Sequence, residues 1–190
     1  VSESTGGITY FERPGKHNME RTLQIARERA EQLGLRQVVI ATTGGETGKR
    51  ATEVFQGYHL VVVTHSTGSS EPNVQELTDE NKEAILAGGA RLLTCQHAFA
   101  GVNRAIRRKL NTYQVDEIIA YTLRIFGEGM KVACEITLMS ADAGLIRTGE
   151  PVLAIGGTGR GADTAVILRG ANADDFFDLR VNEILCKPAF

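Results

Sequence analysis

Tryptophan is absent from this 190-residue chain, proline occurs four times, cysteine three times, and aromatic residues make up 6% of the total. So little proline leaves room for long regular elements. Three cysteines cannot all pair, and Cys95, Cys134 and Cys186 are too widely spaced for a zinc knuckle, so reduced thiols and no metal site are expected. No apolar run approaches the ~20 residues of a membrane span, and no basic-then-apolar leader stands out, so a cytoplasmic setting is expected. Charge of either sign is in short surplus: 21 basic residues face 23 acidic ones, a net charge of −2. That balance lacks the broad basic footprint of a nonspecific nucleic-acid binder, and neither nucleic acid nor a membrane is expected as a partner. The length fits one domain, residues 1–190, with a sizeable core. The excess is glycine, 21 residues bunched in a few loops.

Met19, Leu23, Ala26, Ala30 and Leu33 recur at spacings of three and four, which predicts an amphipathic helix. Asn18 stands before it as an N-cap candidate, and Gly34 follows it where a left-handed C-cap favours glycine. Upstream, residues 7–11 read as a short extended segment. Apolar runs at 38–41, 60–63 and 92–95 are too short for helices and read as strands buried on both faces, hence parallel. Between them, 50–56 and 77–87 are helix-like, giving right-handed parallel crossovers. Residues 98–143 read as mostly helical, with the last helix starting near Met130. Residues 152–155 and 164–168 read as strands, and the eight residues between them are too few for a crossover helix, so a hairpin is expected. Residues 181–186 read as an edge strand. The class is α/β.

Ligands in such sheets gather beyond the carboxyl ends of the strands. After the first buried strand comes Thr42-Thr43-Gly44-Gly45-Glu46-Thr47-Gly48-Lys49-Arg50-Ala51. Glycines let backbone N–H groups converge, a helix N-terminus adds partial positive charge, and hydroxyls and two cations complete an anion cradle. Only three residues separate Gly44 from Gly48, and Arg50 stands where a nucleotide-triphosphate loop needs Ser or Thr, so an NTPase is disfavoured. The second loop, Gly157-Thr158-Gly159-Arg160-Gly161-Ala162, fits a dinucleotide pattern but precedes a strand, which rejects that assignment. Arg160 remains a forked anion donor there, against a plain hairpin tip. His65 and His97 follow the second and third strands; Cys95, two residues before His97, makes a Cys–His pair conceivable but unsupported. Arg104, Arg107, Arg108 and Lys109 read as a solvated basic face. Two polar turns, one carrying Phe11, Glu12 and Asn18 and the other Phe126, Gly127 and Gly129, are expected to line a pocket or simply to turn.

The strand order, the loop ending Gly48-Lys49-Arg50-Ala51, and the segments Phe11-Glu12-Arg13-Pro14-Gly15, Leu123-Arg124-Ile125-Phe126-Gly127, Ala141-Asp142-Ala143-Gly144-Leu145-Ile146 and Gly157–Asp163 carry a resemblance. The chain resembles the C-terminal α/β domain of pyruvate kinase, and more closely the stand-alone archaeal and bacterial proteins of that kind. The resemblance implies a three-layer α/β/α domain with a mixed five-stranded sheet of order 3-2-1-4-5, the last strand antiparallel. It implies a sugar-bisphosphate effector site, with one phosphate at Thr42, Thr43, Gly48, Lys49 and Arg50 and a covering loop at Gly157, Thr158, Gly159 and Arg160. This chain's first loop is longer by Gly-Gly, and the catalytic barrel is missing, so pyruvate kinase activity does not carry over. Subunit contacts made by this domain in pyruvate kinase imply a homo-oligomer.

The leading expectation is therefore a binding domain for a phosphorylated small molecule, a sugar phosphate or a mononucleotide such as flavin mononucleotide (FMN), with Phe11, Phe99 or Phe126 stacking on a flat ring. Two alternatives stand beside it. One is an enzyme, a small flavoprotein or another enzyme acting on a phosphorylated metabolite, using Glu12, Glu135 or His97 as general acid or base. The other is a regulatory module whose basic helix docks on an acidic partner.

Overall fold

In the computed structural model, which describes residues 6–190, the strands are β1 (Thr9–Phe11), β2 (Gln37–Ala41), β3 (His59–Val63), β4 (Arg91–Leu93), β5 (Pro151–Gly156), β6 (Thr164–Arg169) and β7 (Arg180–Pro188). They form one sheet in the order β1-β7-β6-β5-β2-β3-β4. β2 lies parallel to β3 and β5, and β4 parallel to β3. Only β6 runs against the rest, antiparallel to both β5 and β7, while β1 is parallel to β7. The expected five-strand order survives as the run β4-β3-β2-β5-β6, but the sheet is larger by two strands. β7 is an inner strand, not an edge. The reason is burial: Ala165, Val166, Ile167 and Leu168 of β6 are enclosed on both faces, and its free backbone edge needs a hydrogen-bonding neighbour.

Alternation along β2 sorts the core into two layers. Val38 and Ile40 pack on one side with Leu60, Val62, Leu153 and Ile155, and Val39 packs on the other with Val61, Val63 and Val152. The first side is covered by α1 (Met19–Leu33), α2 (Glu46–Val54) and α3 (Asp79–Ala87). The second is covered by α6 (Glu128–Asp142), with α5 (Val115–Arg124) against α6 and α4 (Val102–Leu110) outermost. No helix among the described residues is long and apolar enough to cross a membrane.

Helix α1 behaves as its spacing requires: Leu23, Ala26 and Ala30 are buried, and Gly34 closes it at φ +65°, donating to the carbonyls of Ala30 and Glu31. Asn18 is not a side-chain cap; its Nδ2 donates to the Arg13 carbonyl at 2.7 Å. Helix α2 starts four residues earlier than expected, at Glu46, because Thr47, Gly48, Ala51 and Thr52 form the stripe that meets the sheet. β4 ends at Leu93, so Cys95 and His97 lie in a loop and the shared strand face expected for them does not exist. Helix α6 lies unusually close to the sheet. A Cβ on Gly129 would stand 2.2 Å from Thr164 Oγ1, and one on Gly156 would stand 2.4 Å from the Gly129 carbonyl oxygen. Glycine at both positions is a condition of that approach.

Candidate functional site

The carboxyl ends of β2, β3 and β5 open on a cleft of about 230 Å³. One wall follows β2. Thr42, Thr43 and Thr47 line it, joined by Thr64 after β3, whose hydroxyl donates to the His65 carbonyl at 2.9 Å and meets the Thr94 hydroxyl at 2.7 Å. The Gly48 N–H donates to Thr42 Oγ1 at 3.4 Å, fixing the turn into α2. The first turn of that helix leaves backbone N–H groups without intrahelical partners, a local positive pole.

The opposite wall comes from α4, α5 and α6 and is ionic. Arg104, Arg124 and Lys131 reach it, together with Glu128 and Glu135. Lys131 is 6% exposed and Glu135 2%; one turn apart on α6, their ammonium and carboxylate are hydrogen-bonded. The second oxygen of Glu135 accepts the Phe99 N–H at 3.0 Å. Arg124 Nε meets Glu128 Oε2 at 2.5 Å, which holds the guanidinium above its ordinary basicity.

Two imidazoles close the inner end. The rings of His65 and His97 have centroids 5.5 Å apart and planes 59° apart. His65 Nδ1 lies 2.7 Å from Glu76 Oε2, and His97 Nδ1 lies 3.7 Å from Glu135 Oε2. The Nε2 of His97 is buried with no partner. Its proton affinity is lowered chiefly by desolvation; Glu135 opposes that shift, and His65, Lys131 and Arg104 reinforce it. His97 is therefore neutral near pH 7.

The glycine-rich hairpin loop forms the roof. Gly157, Gly159 and Gly161 line the cleft, whereas Arg160 points to solvent at the tip. Asp163, fully buried, holds this loop: its Oδ2 accepts the N–H of Thr158 at 3.2 Å and of Gly15 at 2.9 Å, and its Oδ1 accepts the Thr164 hydroxyl at 2.9 Å. Gly161 packs so closely on Lys16 that a Cβ would come within 2.4 Å of its Cα.

Several expected contacts are elsewhere. Lys49 pairs with Glu80 at 3.4 Å, and Arg50 with Glu20 at 2.9 Å and Glu53 at 2.5 Å, all on the outer flank of α2. The hydrogen bond to Glu20 is the main cause of Arg50's raised basicity. Gly44, Gly45 and Gly48 serve packing: Gly45 sits at φ +108° against Asn81, and a Cβ on Gly48 would meet Val62 Cγ1 at 2.7 Å. Thr158 spends its N–H on Asp163. Glu12 and Asn18 share a separate hollow of about 480 Å³ with Arg13 and His17. Phe11 packs against the α1 side of the core, and Phe126 is 49% exposed outside the cleft. Phe99 is buried, 5.9 Å beneath the Lys131 ammonium. No phenylalanine is placed to stack on a ligand in the cleft. Gly127 starts α6 at φ +113°, and Gly129 supports its close approach to β6.

Arg124 and Lys131 are not among the site residues the sequence points to, and Arg104, which reads as part of a solvated face, borders both this cleft and a neighbouring groove of about 450 Å³. The signal available was the pair of acid–base spacings Arg124/Glu128 and Lys131/Glu135, each four apart, around a glycine-marked helix start. Burial raises the Cys95 thiol's pKa, with the Asp142 charge adding to it, the reverse of an activated nucleophile. Burial pushes Cys134 up to about 12. Among the described residues, no three of His, Cys, Asp or Glu gather as a metal-binding group.

An α/β/α domain with one reversed strand and a polar cleft at the strand carboxyl ends is a class many ligand-binding proteins share. The particular family is shown by the sequence match. Residues 20–168 match the family described as the pyruvate kinase, alpha/beta domain, most of the chain, and the protein belongs to that family. Among solved structures it is similar to the pyruvate kinase of Cryptosporidium parvum, at 12% identity and a TM-score of 0.39, over 80% of this chain and 22% of that one. It is also similar to the NH3-dependent NAD synthetase of Campylobacter jejuni subsp. jejuni in complex with the nitrate ion, at 14% identity and a TM-score of 0.33, over 70% of this chain and 52% of that one. The chain thus spans about a fifth of the first protein and about half of the second. No barrel occurs among the described residues, whose strands all belong to one open sheet.

Proposed function

We propose that the cleft binds a phosphorylated small molecule. The observation that carries this reading is the facing of two walls: threonine hydroxyls and the α2 N-terminus on one side, Arg104, Arg124 and Lys131 on the other. A phosphate offers acceptors to both, and the three cations supply charge-assisted donors. The adjoining groove shares Ser69, His97 and Arg104 with the cleft and is lined further by Ser66, Gly101 and Arg108. A phosphate seated in the cleft leaves that groove for the organic part of the ligand. A sugar phosphate needs little of it, whereas a mononucleotide such as FMN fills both.

The test begins with an absorption spectrum of freshly purified protein and mass spectrometry of whatever denaturation releases. Calorimetric titration of the emptied protein with FMN, glucose 6-phosphate and inorganic phosphate follows. The expected result is competitive binding of the phosphate-bearing probes, weakened by Arg104→Ala. Absence of binding by all three probes overturns the reading.

A further inference from the structure

We propose that His65 and His97 form a general acid–base pair that hydrolyses the phosphate ester held in the cleft. This rests on the phosphate-binding reading above and adds a reaction to it.

Three observations carry the assignment. Each imidazole has Nδ1 nearest a carboxylate, His65 at 2.7 Å from Glu76 and His97 at 3.7 Å from Glu135, and both residues line the cleft. The Glu76 carboxylate, hydrogen-bonded at Nδ1, fixes the tautomer and ring orientation of His65, while the Glu135 carboxylate stands within charge contact of His97. The His97 Nε2 is moreover a buried acceptor with no partner, a costly arrangement that an ordinary structural histidine would relieve with a hydrogen bond. Finally the rings stand 5.5 Å apart beside Lys131 and Arg104, so two proton-transfer groups and two phosphate-neutralising cations share one small space.

The step balances with water as the co-reactant. His97 Nε2 takes a proton from water, and the water oxygen forms a bond to phosphorus. The bond from phosphorus to the ester oxygen breaks, with its electron pair leaving on that oxygen. His65 Nε2 delivers a proton to the departing oxygen, giving an alcohol and inorganic phosphate. His97 ends protonated and His65 neutral, and exchange with solvent restores both. Lys131 and Arg104 stabilise charge on the phosphoryl oxygens as it is redistributed.

The test measures phosphate release from p-nitrophenyl phosphate, FMN and glucose 6-phosphate, with inorganic phosphate binding followed in parallel by calorimetry. The wild-type protein is expected to release phosphate from at least one ester above the protein-free rate. His97→Asn and His65→Asn should each lower kcat by roughly 10²–10⁴-fold. Both should keep phosphate affinity within about threefold, and Arg50→Ala should keep full activity. The rate of the wild-type protein should fall on the acid side as His97 gains a proton, and that limb should vanish in His97→Asn. Phosphate binding without turnover of any ester overturns the acid–base assignment and leaves the binding reading standing. Turnover unchanged in both histidine variants overturns it equally. Loss of phosphate binding in the wild-type protein overturns both.

Discussion

The two walls of the cleft reach the same place by different chemistry. The β2–α2 wall is neutral and built from backbone: threonine hydroxyls, a helix start, and glycines that let α2 sit against β3 and α3. The α4–α6 wall is built from long charged side chains, two of them inside the protein. Sequence cues are strong for the first kind, because turns need particular residues at particular positions. They are weak for the second, because a lysine in a sequence looks the same whether it faces solvent or a buried carboxylate. Lys49 and Arg50 look like ligand contacts and are surface ion pairs; Lys131 looks ordinary and lines the site.

Removing Lys131 should show the contrast at its largest. Lys131→Met strands the Glu135 carboxylate in the interior and should cost about 3–5 kcal/mol in urea unfolding. Lys49→Met, whose partner Glu80 is exposed, should change stability by less than about 1 kcal/mol. Adding Glu135→Gln to Lys131→Met should recover part of the loss, since the amide still accepts from Phe99 N–H.

Backbone proximity gives the next effect. Gly129→Ala should destabilise by about 1–3 kcal/mol through overpacking on Thr164. Gly48→Ala should fall in the same range against Val62 and Ile85, which makes this glycine a packing residue of the α2–sheet contact. Equal stability of Gly48→Ala and wild type in thermal melts would contradict that.

A smaller separation is expected in ligand binding. Arg104→Ala should weaken inorganic phosphate about tenfold, near 1.4 kcal/mol, while Arg50→Ala should leave the Kd within about twofold. Equal losses in the two variants would erase the distinction between the walls.

The smallest effect is on pH dependence. His97 has a lower proton affinity in the folded protein than its ordinary value of 6.5, so on acidification the unfolded chain takes up its proton first. Its contribution to stability is thus present above about pH 6.5 and lost as pH falls below it. Denaturation midpoints at pH 7.5 and 5.5 should differ less in His97→Gln than in the wild type.

Much of the architecture could be read from residue pattern. The stripe of Leu23, Ala26 and Ala30 with Gly34 at its end defines α1, and the runs around Val39, Val61 and Leu153 alternate cleanly between two cores. The sheet's sixth and seventh members were harder, since β1 is three residues long and β7 exposes its first half. In the cleft, the sequence marks a strand-to-helix turn after β2 but not that α2 begins as early as Glu46. The side-chain directions on α2 follow from Gly48, Ala51, Thr52 and Phe55, which mark the inward face and put residues 49, 50 and 53 outside. Arg104 depends on how three successive helices fold back over the sheet, which no local spacing encodes; Lys131 carries only the faint signal of Glu135 four residues on.

Asp163 gives the roof of the cleft a kinetic character. One enclosed carboxylate grips the amides of Thr158 and Gly15, which belong to loops 143 positions apart along the chain, so the glycine loop and the segment before α1 share a single anchor. Asp163→Asn should shorten the dwell time of a molecule held in the cleft more than it slows its initial capture, because it loosens the roof without altering the hydroxyls and cations of the two walls.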